Sequence, residues 1–201
     1  MNLIKCAMVA SVAGLTSVSS AGIAIQSFAP ASTEGLGAFT GSFDYVASNA
    51  TQGTLTITLT NTSPVANGGF LTAFVFNAVN SVTNLTLSTA PANFSLSSGV
   101  TASPFGTYRY GVSTSSSFEG GGNPNRGLAV GATGTFVFAV TSTNALALSE
   151  ASFLTGANDY PFVVRFRGFE NGGSDKVPTP TPGSLALGLI AGLTAARRRR
   201  A

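Results

Sequence analysis

The chain has 201 residues, with 24 each of Gly, Ser and Thr but only 17 charged side chains, one Cys and no His or Trp. Without His there is no imidazole base, no zinc–imidazole site and no Ser-His-Asp or Cys-His pair, and a lone Cys at position 6 closes no disulfide. The formal charge of +3 comes from Lys5 and Arg197–Arg200; between Gly22 and Lys176 five basic residues face seven acidic ones, which leaves no basic stripe and argues against nucleic acid as a partner.

Residues 1–21 have the layout of a secretory signal peptide. Lys5 supplies a positive n-region, Cys6–Val18 is a short apolar stretch, and Ser19-Ser20-Ala21 puts small residues at −3 and −1 before Gly22. The apolar run is too short to span a bilayer, which needs about 20 residues. Cleavage between Ala21 and Gly22 is expected, with Sec-type export machinery and signal peptidase as partners.

From Gly22 to Lys176 the pattern is all-β. Ala38–Val46 is the first clear strand. Gly53–Asn61 alternates strictly, with Leu55, Ile57 and Leu59 on one face and Thr54, Thr56, Thr58 and Thr60 on the other. A turn cluster with Pro64 and Gly68-Gly69 precedes Phe70–Val79, which is apolar on both faces, as in a strand buried on both sides. Leu85–Ser88, Tyr108–Ser113, Thr133–Thr141 and Phe162–Phe169 complete the strand set, with Gly120–Pro124 as a glycine-rich loop. Asn144–Leu154 is the one helical stretch expected, a turn or two long. Seven to nine strands at this spacing predict an antiparallel β-sandwich or jelly roll over residues 22–176.

Val177-Pro178-Thr179-Pro180-Thr181-Pro182-Gly183 then breaks regular structure, because each Pro fixes φ and lacks a donor N–H. Ser184 is placed to cap an apolar helix through Ala196, followed at once by Arg197, Arg198, Arg199 and Arg200. An apolar helix ending in arginines is what the positive-inside rule expects of a cytoplasmic stop. Residues 184–196 reach about 20 Å as helix, short of a hydrocarbon core of ~30 Å. Such a helix suits a transient hold better than a permanent anchor.

This tail, VPTPTPGSLALGLIAGLTAARRRRA, resembles the PEP-CTERM sorting signal, the substrate tag of bacterial exosortases. In that family a Pro-Glu-Pro-like motif precedes a short transmembrane helix and a basic cluster, paired with an N-terminal signal peptide. The tail is similar in particular to Val-Pro-x-Pro-Gly variants of planctomycete type. The resemblance implies a recognition motif in Val177, Pro178, Thr179, Pro180, Pro182 and Gly183, with Arg197–Arg200 as the stop. The glutamate of the family is replaced by Thr179 or Thr181, and the Pro-Thr step is doubled, so two registers are open. The resemblance covers the last 25 residues; the composition of the body also resembles, loosely and without site residues, the β-sandwich ectodomains that commonly precede such tails.

Within the body each constellation has a plainer reading. The threonine row of 54–60 invites ice binding, but no fixed-period repeat stacks copies of it, and Thr favours strands. Glu119, Asp159, Glu170 and Asp175 fall in expected loops without the D-x-D-x-D spacing of a Ca²⁺ site, so no metal or other cofactor is expected. Tyr108, Tyr110 and Phe118 are a candidate sugar-stacking platform, although core aromatics are the simpler assignment. No acidic pair is nominated for glycoside hydrolysis. Asn-x-Ser/Thr at Asn49, Asn61, Asn84 and Asn93 follows from composition alone. The expectation is a non-enzymatic, exported bacterial surface or matrix protein of structural or adhesive type. It is held briefly at the inner membrane, processed by an exosortase-like enzyme, and possessed of envelope or matrix polysaccharide as a candidate partner. A carbohydrate-binding module and a secreted hydrolase are the alternatives.

Overall fold

The computed structural model describes residues 22–156 and 160–180. The signal-peptide reading through Ala21, Asp159, Thr181–Gly183, the apolar stretch 184–196 and Arg197–Arg200 lie outside the described residues. The strands are β1 (Ile23–Gln26), β2 (Phe39–Ala47), β3 (Gln52–Asn61), β4 (Gly68–Phe76), β5 (Val82–Thr89), β6 (Ser95–Thr101), β7 (Thr107–Ser113), β8 (Leu128–Ala129), β9 (Thr133–Ser142), β10 (Phe162–Phe169) and β11 (Ser174–Pro178).

They form two antiparallel sheets packed face to face. Sheet A runs β1-β2-β3-β9-β5, and sheet B runs β11-β10-β4-β7-β6 with β8 added beside β4. The all-β sandwich expected from the strand spacing is therefore what the chain forms. Strand parity places the core: Leu55 pairs with Phe138 and Ile57 with Phe136 across β3 and β9, and all four are fully buried. From sheet B, Phe74, Phe76, Phe162, Val164 and Phe166 point into the same cluster. The phenylalanines mesh edge to face, with Phe74–Phe136 centroids at 4.8 Å and Phe43–Phe162 at 5.4 Å. Such ring pairs add about 0.5–1.5 kcal/mol each beyond their burial.

The doubly apolar β4 has its second face roofed. Ala73 and Val75, with Val163 of β10, pack under Tyr108, Ala102 and Phe118 as a separate small cluster. The helix expected over Asn144–Leu154 resolves into two single 3-10 turns, Ala145–Ala147 and Glu150–Phe153. Leu148 and Ser149 between them are extended, and Ser149 caps the second turn reciprocally with Ser152. The Ala145 carbonyl accepts from the Leu148 N–H at 3.2 Å, the i+3 donor, and from the Tyr45 hydroxyl at 3.0 Å.

A short run of contacts links the two described ends. Ile23 pairs with Phe43 across β1 and β2, and the Phe43 ring packs on Phe162. The Phe162 carbonyl in turn accepts from the Thr179 N–H at 2.9 Å.

Candidate processing site and exposed faces

The sandwich continues past the boundary expected at Lys176. β11 pairs with β10 through Val164↔Val177 and Val163↔Pro178, so the first two residues of the expected sorting motif are strand residues. Val177 is fully buried against the main core, where its β-branched side chain suits the inner face. Pro178, which has no N–H to give, sits in the last strand position and contributes its carbonyl, accepting from the Phe28 N–H at 2.8 Å. Thr179 is 2% exposed, and its Oγ1 is buried with no hydrogen-bond partner among the described residues. Pro180 is half-exposed and is the last described residue.

The outer edge of β11 is covered by the segment after β1. A 3-10 turn at Ala29–Ala31 carries this segment alongside, and the Thr33 N–H donates to the Lys176 carbonyl at 3.1 Å. The Lys176 N–H donates back to Thr33 Oγ1 at 3.0 Å. The fixing point is Asp175, 1% exposed on the inner side of β11. Its Oδ1 accepts from Thr33 Oγ1 (3.0 Å) and the Glu34 N–H (2.9 Å), and its Oδ2 from the N–H groups of Leu36 and Gly37 (both 2.8 Å). Ser32 Oγ lies 2.7 Å from both oxygens. Gly37 is required for this approach, because a Cβ there would stand 2.5 Å from the Phe166 ring. Burial pushes the Asp175 carboxyl up, but the Gly37, Ser32, Glu34 and Leu36 donors outweigh it and hold it below its ordinary value. Asp175 is thus a clasp between the two ends of the chain, not a solvated loop charge.

On the outer face of sheet B, Lys176 lies beside Arg165. Lys176 Nζ is 2.8 Å from Glu119 Oε1, and Arg165 Nε is 4.0 Å from Glu119 Oε2. Arg165 Nη1 donates to the Phe118 (2.6 Å) and Gly120 (2.9 Å) carbonyls, so this buried cation ties the glycine-rich loop down. Desolvation lowers its pKa, which Glu119 partly offsets and Arg167 reinforces. Glu119 is accordingly a partner of two cations. Glu170 is exposed in the turn after β10, and no group of three metal-ligating side chains occurs among the described residues.

The aromatic platform is not on the surface. Tyr108 is 1% exposed with its hydroxyl on the Tyr160 carbonyl at 2.7 Å, Phe118 lies beneath the loop beside it, and Tyr110 packs on Phe76. The threonines of β3 do face outward, and sheet pairing extends their row: Thr58 lies opposite Thr135, and Thr60 meets Thr133 at 2.8 Å between hydroxyls. Sequence periodicity along one strand could not reveal that cross-strand extension. Arg109, overlooked in the sequence, separates a groove of about 420 Å³ beside β5 and β6 from one of about 590 Å³ near Asn77 and Asn80. Its guanidinium donates to the Val79 and Val82 carbonyls, and so braces the loop before β5. No described helix is long and apolar enough to cross a membrane. No family model matches the chain, and neither does any curated protein or solved structure.

Proposed function

We propose that this chain is an exported bacterial surface or matrix protein whose working parts are its two ends, with the sandwich as a stable body between them. The observation that carries the reading is the order of parts at the C-terminus: a Pro-Thr-Pro run, the apolar stretch 184–196 and four arginines, on a chain that opens with a signal-peptide layout. Signal peptidase acts at Ala21–Gly22. The apolar stretch then holds the precursor at the inner membrane until an exosortase-like enzyme removes it.

The mature body is structural or adhesive, with envelope or matrix polysaccharide as its candidate partner. The hydroxyl-rich outer face of sheet A, with Thr58, Thr60, Thr133 and Thr135 side by side, favours such a polar contact. A glycan-binding module of the pocket type would use the grooves beside Arg109, since the tyrosines are in the core. A secreted hydrolase has less to draw on, because Asp175 and Glu119 are held by neighbouring donors and cations.

The test is intact mass of the protein recovered from envelope and medium of its native host. A chain starting at Gly22 and ending between Val177 and Gly183 is the expected result. A chain that keeps Arg197–Arg200 would refute processing.

A further inference from the structure

We infer that the outer edge of β6 is where a second copy of this chain adds, strand to strand, so that sheet B runs on across a two-fold axis. A sheet edge presents a row of unpaired N–H and C=O groups, and folded proteins ordinarily blunt it with charge, proline, a bulge or a covering segment. Of the four sheet edges among the described residues, three are blunted. β1 has only four residues, β5 is interrupted by register shifts at Val82/Asn84 and Leu87/Thr89, and β11 is covered by Phe28 and Thr33. β6 carries none of these devices. It reads Ser-Leu-Ser-Ser-Gly-Val-Thr over seven residues, without a charge or a proline, and among the described residues it pairs with β7 alone. One register holds along that pairing, from Ser95↔Ser113 to Thr101↔Thr107.

The edge has a groove on each face. On the inner side the groove of about 420 Å³ separates β6 from β5, with Leu85, Leu96 and Tyr110 in its lining. On the outer side a groove of about 360 Å³ separates β6 from the loop after β7, with Val100 and Phe118 in its lining. Leu96 packs on the main core and Val100 on the outer cluster. In a regular strand these two would share a face; Gly99, at φ +64°, turns the backbone between them. An added strand thus finds a line of backbone groups with a groove on either side. Strand addition uses this arrangement, with main-chain bonds for affinity and recesses for alternate side chains. Charge selects the occupant. A second β6, brought antiparallel by a two-fold axis, meets no like charge opposite it, and its own Leu96 and Val100 supply apolar side chains for the grooves. The charged residues in the groove linings are engaged within their own chain: Arg109 by the Val79 and Val82 carbonyls, and Glu119 by Lys176.

The test uses the full chain in mild detergent, so that both ends are the same in every variant. Light scattering coupled to size exclusion should show a dimer that dissociates on dilution. Amide hydrogen exchange at 95–101 should slow as the protein is concentrated, while exchange at 82–89 stays unchanged. Ser98→Lys, at an exposed position of the edge, sets two like charges together across the axis. It should weaken dimerisation by more than about tenfold and leave Tm unchanged. Thr86→Lys, equally exposed on β5, should dimerise like the wild type. A wild type that stays monomeric, with exchange at 95–101 independent of concentration, would overturn the inference. A dimer that survives Ser98→Lys would also overturn it, because the copies would then meet elsewhere. Protection of 95–101 that appears only on adding host envelope extract would give the edge to a different partner and overturn the second copy as its occupant.

Discussion

Asp175→Asn is the most informative single change, because it alters one charge and almost no volume. The carboxylate accepts from Ser32, Thr33, Glu34, Leu36 and Gly37. In the best orientation of an asparagine, its oxygen faces the Leu36 and Gly37 amides and its NH₂ faces Thr33 and Glu34. The Thr33 hydroxyl can turn and accept, but the Glu34 N–H cannot, and one backbone donor is left facing another. An orphaned, part-buried N–H costs about 1–3 kcal/mol, and the remaining bonds lose their charge assistance at about 0.5–1 kcal/mol apiece. Taken at the low end of both ranges the sum is about 3 kcal/mol, which in a domain of this size lowers Tm by roughly 6–12 °C. The pH dependence follows from a carboxyl held below its ordinary value in the fold. Its contribution is fully present above the unfolded-state value of about 4, and is lost as pH falls through the lower folded value. Thermal unfolding by circular dichroism from pH 7 to pH 3 should therefore show a wide gap between wild type and variant at neutral pH that narrows in acid. A gap within 1–2 °C at pH 7, or one that widens in acid, would refute the clasp. The same variant should admit proteinase cuts at 174–179, because the covering segment is released from β11.

Thr179→Val should raise stability by about 1 kcal/mol, since it replaces a buried hydroxyl without a described partner by a methyl group; a fall in Tm would show that the hydroxyl is bonded. Arg165→Ala should cost about 3 kcal/mol, because two loop carbonyls lose their donor and the outer apolar cluster loses packing. Glu119→Gln, at a carboxylate 42% exposed, should cost under about 1 kcal/mol, and chemical denaturation of the pair reads the contrast. Tyr108→Phe should destabilise by about 1 kcal/mol and leave any glycan affinity unchanged, whereas a surface sugar platform would show the opposite in calorimetry.

The body was legible where a single period governs a segment. The alternation of β3 gave its two faces, and the continuous apolar run of β4 announced a strand covered on both sides. The short or polar strands were not legible. β1 has four residues, β8 has two, and β6 reads Ser-Leu-Ser-Ser-Gly-Val-Thr, which is as much a loop composition as a strand. β11 was hidden for a different reason. Ser-Asp-Lys-Val-Pro carries one apolar β-former and a terminal proline, and its place in the sheet depends on partners about 140 residues earlier that hold Asp175. No local signal encodes that. Buried Asp175 was misassigned to a solvated loop for the same reason, since charge alone reads as solvent exposure until the donors around it are known.

The separation in sequence decides when the clasp can close. Residues 28–37 enter the fold at one end of the chain and residues 174–179 at the other, so contacts between them close only after the intervening strands have paired. Until then the outer edge of β11 is uncovered. Once β11 is seated, residues 174–179 are held on both edges. Protease access to this stretch therefore reports the state of the body: the folded sandwich resists cuts at 174–179, and an unfolded one admits them. A destabilised body should then show proteinase cuts at 174–179, even when every residue of the tail is unchanged. The core change Phe74→Ala, at about 3–5 kcal/mol, serves for this. Protection of 174–179 in that variant equal to that of the wild type would refute the reasoning.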